Sequence, residues 1–210
     1  MELDYLKPMD IEARSLALIR SELGDRRLDP ENADIILRVI HATADFDFAD
    51  TLYFSPGAAR IGREVLKNGS HIVTDTRMAE AGVSRRSLEA LGGQLHCFMA
   101  DPDVAQEAKA RGVTRAYVSM ERAAELKQPC IFAIGNAPTA LLRLMELMEE
   151  GRVAPALVIG VPVGFVNVIE SKERLLAGPA PCIVARGRKG GSGVAAAICN
   201  ALLYGIRRER

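Results

Sequence analysis

Asp34, Arg38, His41 and Asp45 stand three or four residues apart, so on a helix they form one narrow stripe. Ala33, Ile36, Leu37 and Ile40 supply the complementary apolar pattern, which places the charged stripe opposite the buried face. His41 therefore points at solvent, a partner or a ligand. It lies near the carboxyl end of that helix, where the macrodipole favours a protonated imidazole. A histidine that holds a proton and faces a cleft is suited to general-acid work; the plain alternative is a solvated surface histidine. Ser15, between Ile11 and Leu18 at helical spacing, interrupts an otherwise apolar face. By itself it reads as a hydroxyl bonded back to the preceding turn.

A second chemical feature is the run Arg186-Gly187-Arg188-Lys189-Gly190-Gly191-Ser192-Gly193, after a strand-like segment and before an apolar helix over 194–204. Glycines let backbone N–H groups approach a ligand, and a helix start adds partial positive charge. From Arg174 to Arg208 the charged residues are Arg174, Arg186, Arg188, Lys189, Arg207 and Arg208, all basic. An anion is expected here, against the alternative of a glycine-rich turn with solvated cations. The run fails the P-loop pattern. Gly191-Ser192-Gly193-Val194-Ala195-Ala196 fits G-x-G-x-x-A, but no second strand with an acidic ribose ligand can follow before Arg210, so dinucleotide binding is rejected. Carboxylates suit Arg and Lys beside a helix start.

Little else in the chain competes. His71 and His96 fall in strand-like runs and read as structural, and no Ser-His-Asp order or H-E-x-x-H motif is present, leaving hydrolase and zinc-protease chemistry without local support. Cys97, Cys130, Cys182 and Cys199 form no C-x-x-C, which argues against zinc and disulfide frameworks and for a reducing, cytoplasmic compartment. Lys and Arg together number 27, as do Asp and Glu, so the basic excess of a nucleic-acid binder is missing. The start of the chain, with Glu2, Asp4, Lys7 and Asp10, lacks the pattern of a secretion signal. The uncharged stretch 153–169 is interrupted by Pro155, Gly160, Pro162 and Gly164 and reads as a buried strand and turn, not a membrane span.

The elements that must position these groups follow from patterning. Apolar β-rich runs at 71–74, 94–99, 130–134, 156–161 and 182–185 alternate with helical patterns. Near-continuous apolar strands covered on both faces predict an α/β fold, a three-layer domain with a mostly parallel sheet flanked by helices. The length of 210 residues and the absence of repeats or linkers make residues 1–210 one domain. Asp29-Pro30 is expected to open the helix carrying His41. Asn136 is expected to cap a helix that carries Leu141, Leu144, Met145 and Met148 as core and stops at Gly151.

Six segments together resemble the precorrin-8X methylmutase family of cobalamin biosynthesis, also called cobalt-precorrin-8 methylmutase. They are Ile11-Glu12-Ala13-Arg14-Ser15, Arg38 through Asp45, Thr74-Asp75-Thr76-Arg77-Met78, Ala133 through Leu141, Ile159 through Val166, and Arg186 through Ser192. They span nearly the whole chain in the family's order. The resemblance implies a cofactor-free, metal-free isomerase that moves a methyl group from C-11 to C-12 of a tetrapyrrole polycarboxylate, working as a homodimer. Its catalytic histidine maps onto His41, and its serine and arginine contacts onto Ser15 and Arg38. Further substrate contacts are expected at Thr74, Asn136, Thr139, Arg186, Lys189, Gly190, Gly191 and Ser192. A concerted methyl shift needs a held geometry and a positioned proton, not a nucleophile or a metal, which suits the residues found. The competing readings are a corrinoid carrier without catalysis and an anion-binding regulatory module; neither has a use for a poised acid at His41.

Overall fold

The computed structural model describes residues 8–208; the acidic start on which the absence of a secretion signal is read lies largely outside them. Six strands form one sheet in the order β1-β6-β5-β4-β2-β3. These are β1 (Leu52–Phe54), β2 (His71–Thr74), β3 (Leu95–His96), β4 (Cys130–Ile134), β5 (Leu157–Gly160) and β6 (Cys182–Ala185). All neighbours pair in parallel except β1 with β6, where Leu52 opposes Ala185 and Phe54 opposes Ile183. The sheet is thus mostly parallel, as the apolar runs require.

Alternation along the buried strands divides the core. Ile131, Ala133, Leu157, Ile159, Ile183 and Ala185 face one layer, with α2 (Ala33–Thr43), α4 (Ala58–Lys67) and α11 (Ser192–Arg208). Cys130, Phe132, Ile134, Val158, Cys182 and Val184 face the other, with α8 (Arg115–Ala123), α9 (Pro138–Glu149) and α10 (Val168–Leu176). Both faces are dry, which is what parallel strands with helical crossovers demand. The remaining α-helices are α1 (Pro8–Leu23), α3 (Phe48–Thr51), α5 (Arg77–Gly82), α6 (Arg85–Glu89) and α7 (Pro102–Arg111), with one 3-10 turn over Phe98–Ala100.

Two expected helix starts are corrected. Asp29 does not open α2. Its carboxylate accepts from the Glu31 N–H and the Asn32 side chain, closing a turn, and helical backbone begins only at Ala33. Asn136 does not cap α9. The cap position is Ala137, and Asp75 supplies the carboxylate that a helix start attracts. The stop of α9 is as expected: Gly151 takes a φ of 70° directly after Glu150, a left-handed conformation glycine adopts without strain. Met145 and Met148 pack into the core as filler. The run at 94–99 shrinks to the two residues of β3, and β1 is an edge strand that the apolar runs did not announce.

Candidate active site

The parallel strands β2, β4, β5 and β6 all end at one rim, where an open α/β sheet binds its ligands. The loop 186–192 is the hub of that rim. Gly191 N–H donates to the Val161 carbonyl at 2.9 Å, and Gly164 N–H to the Arg188 carbonyl at 3.2 Å, so this loop and the one after β5 lie against each other. The Ser192 hydroxyl sits 2.8 Å from that of Thr76, which begins α5. A Cβ on Gly190 would stand 2.1 Å from the Val161 oxygen, and one on Gly135 would stand 2.8 Å from Ser192 Cα. Only glycine fits where these backbones cross.

The same loop reaches the end of α2. Lys189 Nζ donates to Asp45 at 2.7 Å and to Asp47 at 2.6 Å. That clasp holds the Asp45 carboxyl below its usual range and raises the Lys189 ammonium above its own. Ala44, at φ 53°, ends α2 and turns the chain toward it. His41 lies in the last turn of α2 and is exposed, four residues before the Asp45 that Lys189 of the loop holds. Asp45 belongs to the charged stripe of α2, so the stripe and the basic loop are joined through that one ion pair.

Not every expected contact residue joins them. Arg38 is one turn earlier; its guanidinium pairs with Glu12 of α1 and covers the Tyr204 ring at 4.9 Å from the centroid. Ser15 donates to the Ile11 carbonyl at 2.8 Å, the plain back-bond that its spacing allowed. The face of α1 around it is exposed, because Leu16, Ile19 and Leu23 make the core contact. Thr74 is corrected: it is 1% exposed, with its hydroxyl aimed at the Thr76 and His96 carbonyls, so it presents no surface to a ligand. Asn136 is exposed at the rim. The Thr139 hydroxyl sits 3.0 Å from that of Thr114. Arg186 and Arg188 are exposed and lie over the rings of Tyr53 and Phe165, at 4.9 and 5.7 Å. Of the basic run, Lys189 and Arg174 are ion-paired with carboxylates, and the side chains of Arg207 and Arg208 lie outside the described residues.

Asp75 and Lys172 are buried charges at this rim that the sequence does not announce. Asp75, at the switch point between β2 and β4, accepts N–H bonds from Gly135, Asn136 and Ala137 at 2.9, 2.8 and 2.7 Å. Burial pushes its pKa up, and those three donors oppose the shift. Lys172 on α10 is fully buried, its ammonium donating to the Gly187 and Lys189 carbonyls at 2.8 and 2.9 Å. Burial pulls it down to about 8.

Apolar side chains complete the rim. Met78, Val163, Phe165, Val166 and Ile169 are exposed, Phe165 by 85%. Exposed apolar groups of this size beside cationic loops mark a surface for a ligand or partner. Among the described residues no cluster of His, Cys, Asp and Glu could hold a metal ion, and no helix is long and apolar enough to cross a membrane.

Known proteins resemble this chain along nearly its whole length. A Priestia megaterium cobalt-precorrin-8 methylmutase is 43% identical over 197 residues, covering 94% of this chain and 88% of that protein. A Salmonella typhimurium cobalt-precorrin-8 methylmutase is 44% identical, covering 96% and 97%. A Pseudomonas aeruginosa precorrin-8X methylmutase is 41% identical, covering 95% and 97%. Among solved structures, a Thermus thermophilus precorrin-8X methylmutase superposes with a TM-score of 0.88 at 37% identity, covering 96% of this chain and 97% of the other. The precorrin-8X methylmutase family model matches residues 10–205, a span that takes in the α2 histidine, every strand of the sheet and the glycine-rich loop, and the chain belongs to that family.

Proposed function

We propose that the chain is an isomerase of corrin-ring biosynthesis, moving a methyl group from C-11 to C-12 of precorrin-8X or cobalt-precorrin-8 to give hydrogenobyrinate or cobyrinate. The observation that carries this reading is the relationship along the whole chain, with relatives of that activity 41–44% identical over more than nine-tenths of it. The bond from C-11 to the methyl carbon breaks as the bond to C-12 forms, and the ring's conjugated electrons rearrange. No atom is gained or lost.

The protein's task is to hold the macrocycle in the reactive geometry and to place one proton. His41, exposed in the last turn of α2, donates to a ring nitrogen as electron density shifts. A positioned acid contributes ~10²–10⁴-fold, and orientation with preorganised charge supplies the rest. The ring faces lie on Met78, Val163, Phe165 and Val166. Its carboxylates meet Arg186, Lys189 and the backbone N–H of Gly190, with Ser192, Asn136 and Thr139 as neutral donors; Gly191, expected as a contact, directs its N–H to the Val161 carbonyl. Arg38 and Ser15 serve the α1 side. Lys189 exchanges Asp45 and Asp47 for a substrate carboxylate.

Residues 1–210 act as one catalytic domain in the cytoplasm, as a homodimer; exposed Ile11 and Leu18 on α1 support self-association. Incubating the protein with precorrin-8X, and separately with its cobalt form, tests the reaction through the absorption change to the corrin chromophore. Tight binding of both without that change would make the protein a carrier and refute the isomerase.

A further inference from the structure

Lys172 is the one lysine buried completely among the described residues, and no carboxylate among them pairs with it. Both of its hydrogen bonds end on backbone carbonyls of the glycine-rich loop, those of Gly187 and Lys189. Its position on α10 explains the burial: Val168 is four residues before it and Leu175 three after, both in the core, so it shares their face. An unpaired ammonium out of water is costly, and the loop is what it contacts.

The consequence for the loop follows from peptide geometry. Every peptide bond here is trans, so each carbonyl points opposite to the N–H of the next residue. Lys172 draws the Gly187 and Lys189 carbonyls toward itself, and the N–H groups of Arg188 and Gly190 are thereby turned away from it. Neither has an acceptor among the described residues. Lys189 directs its own charge at Asp45 and Asp47, and Lys172 is the buried cation without a carboxylate partner behind these two donors. Such backbone donors, backed by positive charge, make an anion seat.

We infer that the Arg188 and Gly190 N–H groups form a seat for one peripheral carboxylate of the macrocycle, and that Lys172 is the positioning residue that shapes and charges it from below. The inference rests on the corrinoid reading above and adds to it a defined contact.

The experiment uses the full chain, with cobyrinate and its fully amidated form as probes. In ¹⁵N-labelled unmodified protein, cobyrinate shifts the amide resonances of Arg188 and Gly190, and the amidated ring leaves them in place. Lys172→Met weakens cobyrinate binding about 10-fold, the loss expected for a charge-backed contact, and changes affinity for the amidated ring by less than about twofold. In turnover, KM rises more than kcat falls, the signature of lost substrate binding. Cobyrinate binding that leaves both amides unmoved overturns the seat while the corrinoid reading stands; no binding of either ring overturns both. The amide shifts are measured on unmodified protein, so they decide the matter even if Lys172→Met fails to fold.

Discussion

His41 and Asp75 are both functional-looking polar residues, yet the chain treats them in opposite ways. His41 touches nothing in the core, so His41→Ala removes the donor and leaves the packing intact. Turnover is expected to fall by about 10²-fold or more, with product affinity retained; steady-state kinetics and equilibrium binding read the two quantities. Normal turnover in that variant would rule out the acid. Asp75 is sealed at the start of α9, where its carboxylate satisfies three backbone donors. Replacement by Ala strands those donors in a dry site, at a cost of about 2–4 kcal/mol in urea unfolding. A variant as stable as the unmodified protein would mean water replaces the carboxylate. His41 was legible because helical spacing separates a polar stripe from a core face. Asp75 was not, because the donors it meets lie some sixty residues along the chain and only the fold brings them together.

Among the elements, the five apolar runs located the parallel strands because burial on both faces leaves an uninterrupted apolar signature. β1 escaped for a physical reason: three residues at an edge, half-buried, carry no period that a sequence can show. Lys172 escaped because Glu170 and Glu173 flank it and the segment looks solvated, although its spacing from Val168 and Leu175 placed it on the inner face. The edge pair β2–β3 carries a testable consequence. His71 Nδ1 and His96 Nε2 are 2.9 Å apart, and His96 stacks on Phe98. Burial holds both pKa values below the ordinary value. The unfolded chain therefore takes up protons first as pH falls, near 6.5, and stability present above that pH is lost on acidification. Between about pH 7.5 and 5.5, unmodified protein should lose more unfolding free energy than His96→Gln, which has one titrating ring fewer. Parallel losses in the two proteins would show that the pair is uncoupled from folding.

At the scale of the whole molecule, equal numbers of acidic and basic residues mean that no global field draws a polycarboxylate in. Attraction must be local, and the structure concentrates it at one rim. Lys189 is clasped between Asp45 and Asp47, Arg38 is paired with Glu12, and Arg186 is left exposed over Tyr53 with its charge available. A local, solvent-facing cation is screened within about 10 Å at 0.1 M salt. Corrinoid affinity should then fall as salt rises, and Arg186→Ala should both weaken binding and flatten that dependence. Amidating the ligand's carboxylates tests the pairing directly. If Arg186 meets a carboxylate, amidation costs affinity in the unmodified protein and costs less in Arg186→Ala, and the double-mutant cycle reads the difference as a coupling. Calorimetric titration at low and high salt measures all four corners. Losses that simply add, with equal salt slopes in both proteins, would show that Arg186 only decorates the rim, and would leave recognition of the charged perimeter to the backbone donors held up by Lys172.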